Sequence, residues 1–137
     1  MTAANYWGEA PAAQPVIVAA LKAGLTAAGD PAHVGSKAPR NTSDPSAARI
    51  RIQRIGGEES FAVDAPLLLI ECWDPNEAEA ERRANRVIRI LKEAAGRRFA
   101  GGYIHSWKTT SGPVNFPDPD TTSERFQLTG VLALAIE

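Results

Sequence analysis

Two aspartates in a proline-bearing loop are the side chains of this chain that most resemble ligands for a divalent cation. Asp118 and Asp120 occur in the sequence Pro117-Asp118-Pro119-Asp120. Carboxylate oxygens suit Ca²⁺ or Mg²⁺, but both ions need several more ligands than one turn supplies, so this is a weak metal site. We therefore expect Asp118 and Asp120 to lie in a solvated loop or to contact a partner protein, and we expect no bound metal.

The titratable side chains that enzymes use are sparse. The histidines, His33 and His105, are far apart in the sequence, and His105 stands between Tyr103 and Trp107 in a strand-like segment that should place all three on one side. That setting is more typical of a packed or interfacial imidazole than of a catalytic base. The single cysteine, Cys72, lies in an apolar run, which predicts a buried and unreactive thiol. No nucleophile elbow, phosphate-binding loop or zinc-protease motif is present. We expect neither catalysis nor a cofactor.

A cluster of basic residues is the remaining candidate for binding. Its members are Arg82, Arg83, Arg86, Arg89, Lys92, Arg97 and Arg98. At helical spacing Arg82, Arg86 and Arg89 share one face. Nearby glutamates can balance this charge and leave a solvated face. The alternative is an interface with an acidic neighbour, or a surface that passes near DNA.

Length and composition limit the classes of protein to consider. The chain has 137 residues, of which 44% are hydrophobic, and a net charge of −1, which suits one globular domain and argues against binding nucleic acid through bulk charge. No run reaches the ~18 apolar residues of a membrane span, and no secretory signal is evident, so we expect synthesis in the cytoplasm and no membrane partner. Residues 1–14 are expected to form an arm, flexible or laid on a neighbour, outside a single domain of residues 15–137.

The first half of that domain should contain a helix and a hairpin. Apolar residues at spacings of three and four predict a helix at about 15–28, followed by a loop with room for a short strand at His33–Gly35. Alternation predicts a strand at Arg49–Arg54, with a bulge or the strand end at Ile55. Gly56-Gly57 is the predicted hairpin turn. The return strand should lie within residues 61–73, with its apolar centre covered on both faces.

The second half should contain another helix and another hairpin. Asp74-Pro75-Asn76-Glu77 predicts a helix capped by Asp74 that continues to about Ala95, with Glu79 and Arg83 paired one turn apart. Strands are predicted at 103–108 and 124–136, separated by a long loop at 111–122. The fold class is therefore α+β, with an antiparallel sheet of about four main strands packed on one face by two helices.

The order of these features resembles the tail terminator proteins of long-tailed bacteriophages, a group of minor tail proteins that complete the tail. The resemblance spans about residues 15–136 and depends on order and spacing rather than on one motif. Its elements are the apolar helix from Val16, the segment His33-Val34-Gly35-Ser36-Lys37-Ala38-Pro39, the strand closed by Gly56-Gly57, the strand ending in Trp73, the alanine-rich helix, the proline loop and the last strand from Glu124.

The resemblance implies a structural role in the virion. Tail terminators form a hexameric ring at the head-proximal end of the tail tube, stop its polymerisation and provide the surface that joins the head. The implied partners are further copies of the chain, the tail tube protein and the head–tail connector or neck proteins, with DNA passing through the bore without sequence-specific contacts. The family has no catalytic residues to transfer.

Some residues are expected to serve these contacts. We predict that the segment 109–122, including Phe116, Asp118 and Asp120, contacts the tail tube or a ring neighbour. Arg82, Arg86 and Arg89 are the predicted subunit interface. Two alternative functions stay open at this point: a head–tail connector or other neck protein of similar fold, and, from a different class, a small α+β enzyme or ligand-binding module.

Overall fold

The computed structural model describes residues 7–37, 48–119 and 123–137. Within them the chain forms two helices and one six-stranded sheet with strand order β1-β2-β3-β6-β5-β4. The elements are α1 (Ala13–Ala27), β1 (His33–Gly35), β2 (Arg49–Glu59), β3 (Val63–Asp74), α2 (Glu77–Glu93), β4 (Arg98–Phe99), β5 (Gly102–Asn115) and β6 (Glu124–Ala135). The predicted α+β class is confirmed.

The predicted strand count and the purely antiparallel sheet are wrong. β1 pairs in parallel with the start of β2, with Val34 opposite Ile50, so the sheet is mixed. β4 adds a two-residue pairing to the start of β5. β1 coincides with the short strand that the sequence allowed at His33–Gly35. The two-residue β4 is too short to show the alternation that reveals a strand in a sequence.

The helices pack on one face of the sheet and share its core. Buried side chains of both helices contact every second residue of the long strands, including Leu68, Ile70 and Leu128. The helices approach closely at Gly24, where an added Cβ would lie 2.4 Å from Ile90. α1 begins at Ala13, slightly earlier than predicted.

The hairpin of β2 and β3 turns later than the glycine pair predicts. Gly56 and Gly57 lie inside β2, opposite Leu67 and Pro66, and the turn falls at residues 60–62. The predicted bulge at Ile55 is confirmed by the register shift between Arg54 and Gly56. Gly57 has φ 115°, and a Cβ there would lie 2.2 Å from the Ala65 carbonyl oxygen. The glycine is therefore needed for close approach of two strands.

The second hairpin is confirmed, but its connection is shorter than predicted. β5 continues to Asn115, so Pro113 is a strand residue and the predicted loop 111–122 is reduced to residues after Asn115. β4 pairs only with Gly102 and Tyr103, so the rest of β5 lies at the edge of the sheet. Pro113 is tolerated there because a missing amide donor costs little at a sheet edge.

The sheet face opposite the helices, which we call the open face, is not covered by either helix. Leu67 and Leu69 lie on it and are half-buried, whereas Leu68 and Ile70 on the helix side are fully buried. Val131, opposite Leu67 in β6, extends this apolar surface. The predicted cover on both faces of β3 is therefore wrong for the single chain.

Candidate interaction surfaces

The start of α2 is built differently from the predicted cap. Asn76 is the capping residue, and its side chain accepts a hydrogen bond from the Glu79 amide at 3.0 Å. Asp74 accepts from the Asn76 amide with one oxygen and from Arg83 with the other. Glu77 accepts from the Asn115 side chain at 2.7 Å instead of returning to the cap.

Arg83 is a buried structural residue rather than a member of a solvated basic face. Its guanidinium donates to Asp30 at 3.0 Å and to Asp74 at 2.7 Å, so the predicted pairing with Glu79 is wrong. Burial alone would raise the pKa of Asp30, but the hydrogen bonds from Arg83 and its neighbours hold that pKa below its usual value. The cluster therefore fixes α2 against the segment that follows α1.

Arg82, Arg86 and Arg89 each bind a different carboxylate of this chain. Arg82 binds Glu79 at 2.7 Å, and Arg89 binds Glu93 at 3.3 Å; both arginines are exposed. Arg86 binds Asp30 and is only partly exposed. Of the three, Arg86 thus has a structural contact, while Arg82 and Arg89 remain accessible to a partner. Their role at a subunit interface stays a prediction.

The segment after β5 folds over one end of the open face. We call residues 116–119 of this segment the strap. The Phe116 amide donates to the Arg125 carbonyl oxygen at 2.8 Å, and the Phe116 carbonyl oxygen accepts from Arg125 Nε at 2.8 Å. The Arg125 guanidinium lies 5.1 Å from the Phe116 ring centre and 5.6 Å from that of Trp73. Phe116 is 52% exposed, whereas Trp73 is buried beneath the strap.

A buried carboxylate organises the arginines under the strap. Glu71 is 2% exposed and accepts from Arg51 Nε at 2.7 Å and from Arg125 at 3.1 Å. Both cations also lie over the Trp73 ring, where the π-electrons attract them. This end of the open face therefore combines aromatic rings with paired charges.

Asp118 faces cationic and aromatic groups, which is a poor setting for a metal ion. Trp73 Nε1 donates to it at 3.4 Å, and Arg125 lies 3.8 Å away. Asp120 lies outside the described residues. Among the residues that are described, no group of three His, Cys, Asp or Glu side chains is close enough to hold a metal ion.

A cavity of about 330 Å³ lies between the helices, on the side of α1 and α2 that faces β4. Small residues of α1, among them Ala23 and Ala27, form one wall. Arg89, Glu93 and Arg97 surround it, and Phe99 of β4 closes one side with the Arg97 guanidinium 4.8 Å from its ring centre. This partly open cavity, lined by small apolar residues and by charged groups, has room for an inserted side chain.

The end of the β2–β3 hairpin carries exposed aromatic rings. Phe61 is 59% exposed and meets Trp7, which is 75% exposed, edge to face at 4.9 Å. The preceding residues Glu58 and Glu59 are exposed, and neither forms an ion pair with a residue that the structure describes. We call residues 58–61 the acidic tip.

Sequence reasoning missed several of these groups. The sequence did contain one signal for the arginines beneath the strap. Glu71 lies inside an apolar strand, and a charged residue there needs a buried partner of opposite charge. The acidic tip and the cavity give no such local signal, since each depends on a turn or on packing between separate elements. Tyr103 and His105 do meet, at 5.2 Å, but a register shift at His105 turns Trp107 to the helix side.

A scan against protein-family models finds no match, and a search of curated proteins finds no significantly similar sequence. Neither α1 nor α2, the helices of the described residues, is long and apolar enough to cross a membrane.

Proposed function

We propose that this protein is a structural subunit of a phage virion, similar to tail terminators, that forms a ring on the head-proximal end of the tail tube. In this role it ends polymerisation of the tube and provides the surface for head joining. It is made in the host cytoplasm and acts by shape and contact, without catalysis or a cofactor. DNA passes through the bore of the ring.

The open face is the observation that carries this proposal. Leu67, Leu69 and Val131 form a half-buried apolar strip that neither helix covers. Farther along the same face, beyond Thr129 and Gln127, Val114 and Phe116 are 48% and 52% exposed. A sheet face that is left uncovered and carries both half-buried and exposed apolar side chains is suited to contact with another protein. We assign this face, with the strap, to the tail tube protein.

The construction of the strap supports a docking role. The arginines beneath it, Arg51 and Arg125, are held by Glu71 and so do not need to reorganise when a partner binds. A surface that is already ordered loses little entropy on association. Phe116 and Val114 are therefore presented on a rigid support.

Particle assembly with variant protein tests the proposal. Replacing Val114 and Phe116 together by serine should leave the monomer folded, because both side chains are exposed, and should give overlong or headless tails in electron micrographs. Ile55→Ser is the matched control, because Ile55 is 50% exposed on a different strand. Normal-length tails joined to heads with the double variant would contradict the proposal.

Deleting the strap is a less specific test than these point variants. Residues 112–115 belong to β5, so a deletion from 112 to 121 would remove part of a strand as well as the strap. Point variants keep the strand pairing with β6 and change only the contact surface.

A further inference from the structure

We propose that adjacent copies of this chain associate head to tail, with Phe61 of the acidic tip of one copy inserted into the cavity between α1 and α2 of the next. This inference rests on the proposed ring for the identity of the partner, a second copy of the chain. It adds which surfaces meet and which residues hold them together.

The acidic tip has the properties of an inserted group. Phe61 projects from a turn that is held by hydrogen bonds from Ser60 to Val63, the shorter at 2.8 Å. Trp7 supports the ring from the side and is itself mostly exposed. An aromatic group this exposed on a fixed turn gains much from burial and loses little flexibility when it docks.

The cavity has the matching properties. Its volume of about 330 Å³ is near the lower end of ligand-pocket volumes (~300–1,000 Å³), which suits one aromatic side chain. Alanines 23 and 27 leave room beside Phe99, so an inserted ring would contact these apolar side chains, with the charged side chains of the lining beside it. Among the described residues, the adjacent Arg97 has a ring contact with Phe99 and no carboxylate partner.

Charge favours the same pairing. Glu58 and Glu59 precede Phe61, while Arg89 and Arg97 lie beside the cavity. Insertion therefore brings two carboxylates close to Arg97, and none of these three groups has an ion-pair partner among the described residues. Within the part of the chain that the structure describes, Arg89 pairs only with the exposed Glu93, at 3.3 Å, and can shift to a new partner at low cost. Opposite charges around an apolar contact fix its orientation.

The positions of the two surfaces let each copy bind two different neighbours. The acidic tip belongs to the β2–β3 turn, and the cavity belongs to the helix layer beside β4, at the other edge of the sheet from β1. The two surfaces share no residue, so one copy can use both at once. A contact between two different surfaces that is repeated from copy to copy closes into a ring or continues as a filament, and the proposed function requires the ring.

Mixing two variants tests this inference directly. Phe61→Ala removes the inserted group, and Ala23→Phe fills the cavity; both sites are exposed, so both variants should fold. Each variant alone should associate at least about tenfold more weakly than the wild type, as expected for loss of a central aromatic contact. Mixed at equal amounts, they retain one intact contact and should form a 1:1 dimer and nothing larger in native mass spectrometry. Ile55→Ala is the control that should assemble like the wild type.

Cross-linking identifies the contact independently of ring closure. Glu59→Cys on one copy and Arg97→Cys on another should be joined by a short thiol cross-linker, whereas Glu59→Cys with Lys108→Cys, on the open face, should not. The native thiol does not interfere because burial raises the pKa of Cys72 to about 12.

The outcomes separate this inference from the proposed function. If the wild type forms rings that Phe61→Ala leaves intact, or if the control pair cross-links equally, the proposed head-to-tail contact is wrong. The proposal that the chain forms a ring is not affected by either result. A wild-type chain that stays monomeric up to ~1 mM also overturns this contact, because its self-affinity would then be too weak to join copies. The tail-assembly assay with Val114 and Phe116 is independent of each result.

Discussion

Replacing Arg83 tests whether the buried ion cluster stabilises the packing of α2. Arg83→Met keeps the aliphatic length of the side chain and removes the charge between Asp30 and Asp74. Removing one partner of a buried ion pair costs ~3–5 kcal/mol, because the remaining charge is left without compensation. Asp30 would keep its contacts with Arg86 and with the Ala32 amide, so we expect a loss near the lower end, ~3 kcal/mol.

Urea and thermal unfolding followed by circular dichroism measure this loss. A change of ~3 kcal/mol corresponds to a fall in Tm of roughly 10 °C for a chain of this size. Arg82→Met is the matched control on the same helix. Its partner Glu79 is exposed, and such a surface pair contributes only ~0–1 kcal/mol. A loss for Arg83→Met that is no larger than for Arg82→Met would refute the structural role of the cluster.

The pH dependence of the same variant gives a second test. The pKa of Asp30 is lowered in the folded protein, so its ion pair stabilises the fold above the ordinary carboxyl pKa of about 4. That contribution is lost as the pH falls through the lower, folded-state pKa. The stability difference between wild type and Arg83→Met should therefore be largest at neutral pH and should narrow below about pH 4. A difference that is constant with pH would contradict the assignment.

Three further changes test other parts of the fold. Gly57→Ala should lower the free energy of unfolding in urea by ~1–3 kcal/mol more than Gly56→Ala does. Both glycines have positive φ, but only a Cβ at Gly57 would meet a backbone oxygen, so equal losses would contradict this reason. Trp73→Ala should cost ~3–5 kcal/mol, and a cost below ~1 kcal/mol would show that the strap does not bury the ring. Cys72 should react with a thiol reagent only after unfolding, and fast reaction of the native protein would show that it is accessible.

The regular elements could be predicted because their signals are local. β6 alternates strictly, with Phe126 and Leu128 buried and Gln127 between them on the open face, so its period revealed both the strand and its buried side. α2 combined an apolar stripe with polar residues suited to its start, which located the helix even though the capping residue is Asn76.

The predictions that were wrong concern side chains whose contacts depend on residues far away in the sequence. Gly57 resembles a turn residue, but its role depends on the approach of Ala65 across the hairpin. Arg83 resembles a surface partner of Glu79, but Asp30, far away in the sequence, binds it instead. Trp73 is buried on the side of the sheet away from the helices because the strap returns over it. Patterns within one element do not contain these contacts.

Imaging of whole particles that carry a label on this protein tests the proposed function most directly. The proposal predicts a ring of label at the head-proximal end of the tail tube, between the tube and the neck. Label inside the portal neck would indicate a connector protein instead. Its absence from mature particles would contradict a structural role in the virion.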